Sequence, residues 1–351
     1  MVDSVGTGGE PIQAAGHQVE LPRNALKITL LLLVLAGAAG LVGWNISQHA
    51  EAPLNRIVRI IGGLAQAPFT KGNALYLLAV GCTLVIEAVA LGYQNSSCRR
   101  LLRPSRSAVV DLFCWIALMT GLFGVLTYIL SLGISSVISD RLAALVPRGA
   151  LAFDNPVIQT FWLLIVSDFL KYVMHYLQHK IPVWWQTHKF HHSATEMNVI
   201  TAARGHPSEG VLDIIFLAIP TALLDGTATQ FLVLNFATTI LGGLQHSMVE
   251  WRFGWLGRWI LNSPVNHRIH HSAIPEHFDR NFASIFVFWD RIFGTCYRGP
   301  ALNAMVDVKD NPYNRKGLLY DLYLGAKLPV VVAVSPLTGL ARRLVRRATA
   351  A

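Results

Sequence analysis

A chain of 351 residues that is 53% hydrophobic, only 14% charged and of mean hydropathy +0.43 is too apolar for an ordinary soluble protein. It is long enough for several membrane helices and one polar domain. A net charge of +9 raises nucleic acid as a partner, but the basic residues lie between and after apolar runs, which suits anionic lipid and topology signals instead, so no nucleic-acid partner is expected.

Residues 1–24 read as a polar, flexible tail. Residues 25–156 read as an N-terminal transmembrane region with three spans. The first, Ala25–Ile46, carries no charge after Lys27 and can cross a hydrocarbon core of about 30 Å. Leu54–Leu64 is short and amphipathic, as a surface segment would be. The second span, Ala74–Tyr93, carries Glu87, either a functional acid at membrane depth or a helix-end residue that reaches interfacial water. Cys98–Ser107 is the densest basic loop and is expected on the cytoplasmic side. Ala108–Ile134 is the third span, and Val157–His179 the fourth. Val211–Leu244, interrupted by Pro220 and by Asp225-Gly226, suits a hairpin or two broken helices turning near Asp225. Residues 299–351 read as a cytoplasmic or interfacial tail, because Leu328–Leu340 is too short to span and holds Pro329 and Pro336. Trp184, Trp185, Trp251, Trp255 and Trp259 suit an interfacial aromatic belt. The cysteines at 82, 98, 114 and 296 are far apart, form no C-x-x-C and read as free thiols.

Ten of the 13 histidines fall between His175 and His271. They form H-Y-L-Q-H at 175–179, H-K-F-H-H at 188–192, the single His206 and His246, and H-R-I-H-H at 267–271. On a helix, positions three and four apart share a face, so each box can aim two or three imidazoles at one point. Eight box histidines exceed the needs of one tetrahedral ion, and two metal ions are the natural reading. Spacing alone permits iron, zinc, copper or nickel. The absence of H-E-x-x-H and E-x-x-H disfavours a zincin and a soluble di-iron carboxylate bundle.

The order H-x-x-x-H, H-x-x-H-H, H-x-x-H-H resembles the fatty acid hydroxylase/sterol desaturase superfamily of integral-membrane oxygenases. Asp168 and Tyr172 before the first box, Arg204-Gly-His206-Pro207, Gln245-His246-Ser247 and the W-D-R-x-F-G-T of Trp289–Thr295 share in the resemblance, which covers roughly 157–298. Two departures are Tyr176, where many members have Arg, and Asn281-Phe282-Ala283 in place of Asn-Tyr-Gly. The resemblance implies an all-α, multi-pass bundle with a cytoplasmic helical cap, and a histidine-box catalytic domain at 157–298 that holds two iron ions on His175, His179, His188, His191, His192, His246, His267, His270 and His271. It implies O₂ as co-substrate and hydroxylation or desaturation of a C–H bond in a membrane lipid of fatty acyl or ornithine-lipid type. Sterol or carotenoid oxidation and an alkylglycerol monooxygenase-like activity are near alternatives, and a histidine-rich metal transporter is a reading of another class. A bacterial inner membrane is the expected location.

Four residues are candidates for supporting the ligands. Asp168 lies seven residues before His175, on nearly the same face, where it can accept an imidazole N–H or join two helices. His206 reads as a residue beside the ligands rather than a ligand. Glu250, four residues after His246, can orient a ligand or face solvent. Asp290 can pair with Arg291 to hold the last box. His277 reads as an ordinary loop histidine. No haem motif, ferredoxin cysteine pattern or dinucleotide fingerprint is present, so a separate electron donor is expected: a ferredoxin, a cytochrome or a flavoprotein reductase.

Overall fold

The computed structural model describes residues 70–131, 141, 144–145, 147–299 and 306–348. The expected span Ala25–Ile46 and the amphipathic Leu54–Leu64 lie outside the described residues. Among those described, the chain is helical with only two isolated β-bridges.

Helix α1, Lys71–Leu91, starts where the Thr70 hydroxyl accepts the Asn73 N–H and stops at Gly92, φ 74°. It is long and apolar enough to cross a membrane. Glu87 near its end does not reach interfacial water. It is fully buried and accepts the N–H of Ser97 at 2.7 Å and of Met248 at 3.4 Å, with Arg100 at 3.9 Å. It therefore ties α1 to the segment just after His246.

The basic stretch expected as a loop holds a short helix, α2, Ser97–Leu102. The expected single span Ala108–Ile134 is instead two helices, α3 (Arg106–Met119) and α4 (Leu122–Leu130), that meet at 92°. The break is at Gly121, whose φ of 75° is left-handed and open to glycine at little cost. Helix α5, Pro156–Lys180, is capped by the Asn155 side chain, starts with Pro156 and ends at Ile181, before Pro182. It too is of span length and hydropathy. Helix α6, Pro182–His192, begins at that proline and packs back on α5.

The apolar stretch 211–244 divides, as its sequence suggests, into α7 (Gly210–Leu224) and α8 (Ala228–Gln245), with Asp225 at φ 45° and a capping box of Thr227 and Gln230 between them. The two helices take different partners, α7 packing on α5 and α8 on α1. Gly243 lets α8 close on α1, because a Cβ there would stand 2.9 Å from Thr83 Cγ2. Three short helices follow: α9 (Gly254–Trp259), α10 (Pro264–His270) and α11 (Phe288–Ile292).

The C-terminal segment corrects the expectation of a short interfacial piece broken by prolines. Leu318–Ala348 is one helix, α12, of which Leu318–Pro336 is long and apolar enough to span. A proline removes the hydrogen bond to the carbonyl four residues back. Ser335 Oγ donates to the freed Val332 O at 3.0 Å, while Ser208 Oγ lies 3.4 Å from Gly325 O but gives its proton to His206 Nδ1 at 2.7 Å. Serine hydroxyls of this kind let apolar helices carry proline. Helix α12 packs along α6, and Tyr313 and Leu324 join Val110, Cys114 and Phe190 in one buried cluster.

At the junction of α3, α6 and the run into α12 sits Arg204, with no exposed surface. Its guanidinium donates to Asp111 at 2.6 Å, to Ser107 O at 3.0 Å, to Ser193 Oγ at 3.1 Å and to Asn314 at 2.8 Å, and its Nε to Phe190 O at 3.2 Å. Asp111 also accepts from Asn198 and Thr201, both at 2.7 Å. Removing one partner of a buried, satisfied pair strands the other charge and costs about 3–5 kcal/mol. Asp111→Ala is therefore expected to lower the unfolding free energy by about that much, measured as a fall in the thermal midpoint of the detergent-solubilised protein, whereas Glu196→Ala at the exposed Ser105 contact leaves the midpoint within error.

Candidate metal centre

The three boxes arrive on three helices. His175 and His179 occupy the last turns of α5, His188, His191 and His192 the end of α6, and His267 and His270 lie on α10 with His271 as its cap. His246 caps α8. These nine side chains, the full set inferred from the sequence, gather into two groups: His175, His179, His188, His192 and His270 in one, and His191, His246, His267 and His271 in the other. Within each group one nitrogen per ring lies within 4.8 Å of all the others.

The hydrogen bonds fix which nitrogen is free. A carbonyl oxygen only accepts, so a ring nitrogen bonded to one must carry the proton. The Nδ1 atoms of His175, His191, His246 and His270 donate to Phe282 O, Arg204 O, Gly242 O and Arg280 O at 2.8 to 2.9 Å. Each Nε2 is then a bare lone pair turned inward. His175 Nε2 and His270 Nε2 are buried without a hydrogen-bond partner. His191 Nε2 and His246 Nε2 face each other at 3.4 Å, lone pair to lone pair. Other Nε2 pairs stand at 3.1 Å (His179–His192, His246–His267) and 3.2 Å (His188–His192, His267–His271). A cation with metal–nitrogen bonds of about 2.1 Å sets neighbouring nitrogens about 3.0–3.4 Å apart, from octahedral to tetrahedral geometry. The donor set fits two transition-metal ions.

Electrostatics agree. Burial, with neighbouring imidazoles, holds His191, His192, His267 and His271 well below the usual histidine range and pushes His270 down to about 3. The rings are neutral at physiological pH, the form that binds metal.

The four supporting candidates take other places. Asp168 touches no histidine. It accepts from Ile285 N at 2.9 Å, and from Phe286 N and Trp289 Nε1 at 3.0 Å, clamping residues 285–286 and the start of α11 to α5. Asp290 does not pair with Arg291, whose guanidinium stacks on Trp259 at 4.0 Å. It accepts from Phe282 N at 2.8 Å, Ala283 N at 3.0 Å and Thr295 Oγ1 at 2.7 Å, and so fixes the peptide whose carbonyl holds His175. Glu250 is not on a helical face with His246, because α8 ends at Gln245. It pairs with Arg268 of the third box at 2.6 Å. His206 is away from both groups. Its Nε2 donates to Leu322 O at 2.9 Å and its Nδ1 accepts from Ser208 N at 3.1 Å, so it pins α12. His277 lies in neither histidine group; it is buried against the Tyr297 ring.

The sequence reading missed Glu209. Its Oε1 accepts from His188 Nδ1 at 2.7 Å and from Gln178 Nε2 at 2.6 Å. Its place two residues after Pro207 was the only signal. The Asn281-Phe282-Ala283 departure is harmless for a backbone reason. The structure uses the main-chain N–H and C=O of Phe282, and Ala283 has no left-handed φ that would demand glycine.

Residues 160–295 match the fatty acid hydroxylase family model. This segment is a fatty acid hydroxylase domain. It is similar to the ornithine lipid hydroxylase OlsE of Rhizobium tropici, 31% identical over 159 residues, or 45% of this chain and 47% of that one. It is similar to alkylglycerol monooxygenase of Xenopus tropicalis, 31% identical over 146 residues, or 41% of this chain and 32% of the relative. Cholesterol 25-hydroxylase of Rattus norvegicus is 27% identical over 169 residues, 46% of this chain and 54% of that protein. The chain thus spans about half or less of the relatives' lengths. No solved structure matches it. Both histidine groups lie wholly inside the fatty acid hydroxylase domain.

The sign of the pH dependence follows. In the unfolded chain these rings titrate near 6.5 and in the fold well below it, so between those values the unfolded state holds more protons. The metal-free protein is expected to keep a constant thermal midpoint above about pH 7 and to lose stability as pH falls through the unfolded value of 6.5. A midpoint that rises on acidification would contradict neutral, buried rings.

Proposed function

We propose that the protein is a membrane-embedded, O₂-dependent di-iron hydroxylase of lipids. One observation carries the reading: nine histidines of a fatty acid hydroxylase domain bring one ring nitrogen each to two common points. His175, His179, His188, His192 and His270 would hold one iron, and His191, His246, His267 and His271 the other. Iron bound there would supply the reductive activation of O₂ that lets one oxygen enter an unactivated C–H bond while the second leaves as water. The chain's own part is to keep the rings neutral, to orient each through its outer nitrogen and to exclude bulk water from the histidine cage.

The relatives are named as hydroxylases and a monooxygenase, which supports oxygen insertion over desaturation. Their names also support a lipid substrate, and we take an acyl chain of an ornithine-lipid or related membrane lipid as the first candidate, with sterol and alkylglycerol types beside it. Two electrons per turnover come from a separate ferredoxin, cytochrome or flavoprotein reductase. The helices of span length support a multi-pass protein with the boxes at one membrane face; the Arg-rich stretch 99–106 supports the cytoplasmic side for that face, and we take a bacterial inner membrane as the location. Convergence of all nine ligands at one place disfavours a transporter, which needs ligands spread along a path.

The test is lipid mass spectrometry on membranes that carry the protein, beside a His191→Ala/His192→Ala variant that removes one nitrogen from each group. The expected outcome is a lipid class one oxygen heavier with the wild type and absent with the variant, together with loss of bound iron. Loss of two hydrogens in place of the added oxygen would make the protein a desaturase. A product that persists in the variant would sink the proposal.

A further inference from the structure

The two histidine groups are not equivalent in what stands behind them. In the group of four, His191 and His246 lean on uncharged main-chain carbonyls, and His267 Nδ1 is buried with no partner. In the group of five, His175 and His270 also lean on carbonyls, but His188 leans on the carboxylate of Glu209 at 2.7 Å. Glu209 is 9% exposed and is held on the same oxygen by Gln178, itself 1% exposed and set on α5 between His175 and His179. A second acid, Asp279, stands 3.7 Å from His179 Nδ1, beyond hydrogen-bond reach, and is half-exposed and paired with Lys180 at 2.5 Å. Its effect on the ring is the weaker by both distance and screening.

A carboxylate on the outer N–H makes an imidazole a stronger base and a better donor to a cation, and it adds a full negative charge near the ion. We infer that Glu209 is a positioning residue that makes the two metal sites unequal: through His188 it strengthens the five-histidine site, which fills first and holds its ion more tightly than the four-histidine site. Gln178 serves the same end by pinning the carboxylate from the helix of the first box. The inference rests on the di-metal reading above.

Cobalt(II) is the probe, because its visible bands are intense in a four-coordinate tetrahedral site and weak in a five-coordinate one. The metal-free wild type is titrated without oxygen, and bound cobalt is counted directly. The first equivalent is expected to give weak bands and the second intense ones. In Glu209→Gln, which keeps size but removes the charge, the first step is expected to weaken by about 10- to 100-fold while the second keeps its affinity and spectrum. Five ligands against four already favour the first site, so the share owed to Glu209 is the difference between variant and wild type in the first step alone. Should Glu209→Gln prove too unstable, Gln178→Leu leaves the carboxylate but frees it, and a smaller weakening of the same step is expected. Intense bands at the first equivalent, or a first step unchanged in the variants, overturn the inference and leave the two-site reading standing. A wild type that binds no cobalt overturns both.

Discussion

Everything in this structure depends on one electrostatic conflict. Imidazoles are gathered in a dry interior with their inner nitrogens only 3.1 to 3.4 Å apart, and at His191 and His246 both of those nitrogens are unprotonated. Lone pairs at that distance repel, and burial removes the water that would solvate them. Protonation is no escape, since several cations would then share one cavity. A pair of metal cations removes the conflict at once. The rest of the domain keeps the rings in this posture, which none of them would choose alone.

The restraint comes through the outer nitrogens, and it is mostly main chain. Carbonyls of residues 204, 242, 280 and 282 each take one Nδ1 proton. Two of those carbonyls, of residues 204 and 282, are in turn held by buried charges that touch no ligand. Arg204 is locked by Asp111 from α3, the Phe282 peptide by Asp290, and the run after it by Asp168 from α5. Arg268 leaves the third box to bind Val249 O and Glu250, just past His246. Each buried ion or carboxylate thus links a ligand-bearing segment to a different part of the chain. This explains why so apolar a chain tolerates them: their desolvation is compensated by two to six hydrogen bonds apiece, and their positions set the tautomers of the rings.

The ligand set was legible because it is local. H-x-x-H-H is a helix-face pattern, and two copies of it beside H-x-x-x-H leave few other chemistries. The partners of the supporting acids were not legible, because they are remote: Asp168 meets residues 117 to 121 positions away, and Glu209 reaches His188 21 positions back. Periodicity placed Asp168 on the correct helix but could not say what packs there. The same limit hid Glu209, a lone acid in a polar turn. Helix boundaries failed where local rules compete with tertiary partners. Gly121 broke an apolar run that hydropathy joins, while Pro329 and Pro336 did not break α12, where Ser335 covers the carbonyl that Pro336 exposes.

The C-terminal helix shows how the parts depend on one another. Its apolar length would suit any membrane span, yet His206 and Ser208 reach it from the turn that also carries Arg204 and Glu209. Gly325 is required at that crossing, since a Cβ there would stand 2.7 Å from His206 Nε2. One six-residue turn, Arg204–Glu209, therefore holds His191 by a carbonyl, His188 by a carboxylate and α12 by an imidazole. A shift of α12 along α6 would be felt at both histidine groups through this turn. The first box enters from another apolar helix, α5, whose last two turns carry His175 and His179. The histidine cage is thus built where two helices of membrane length meet the shorter helices of the domain. On the proposed reading, that is the level at which a lipid can present a C–H bond without leaving the bilayer and the cage can still exclude water.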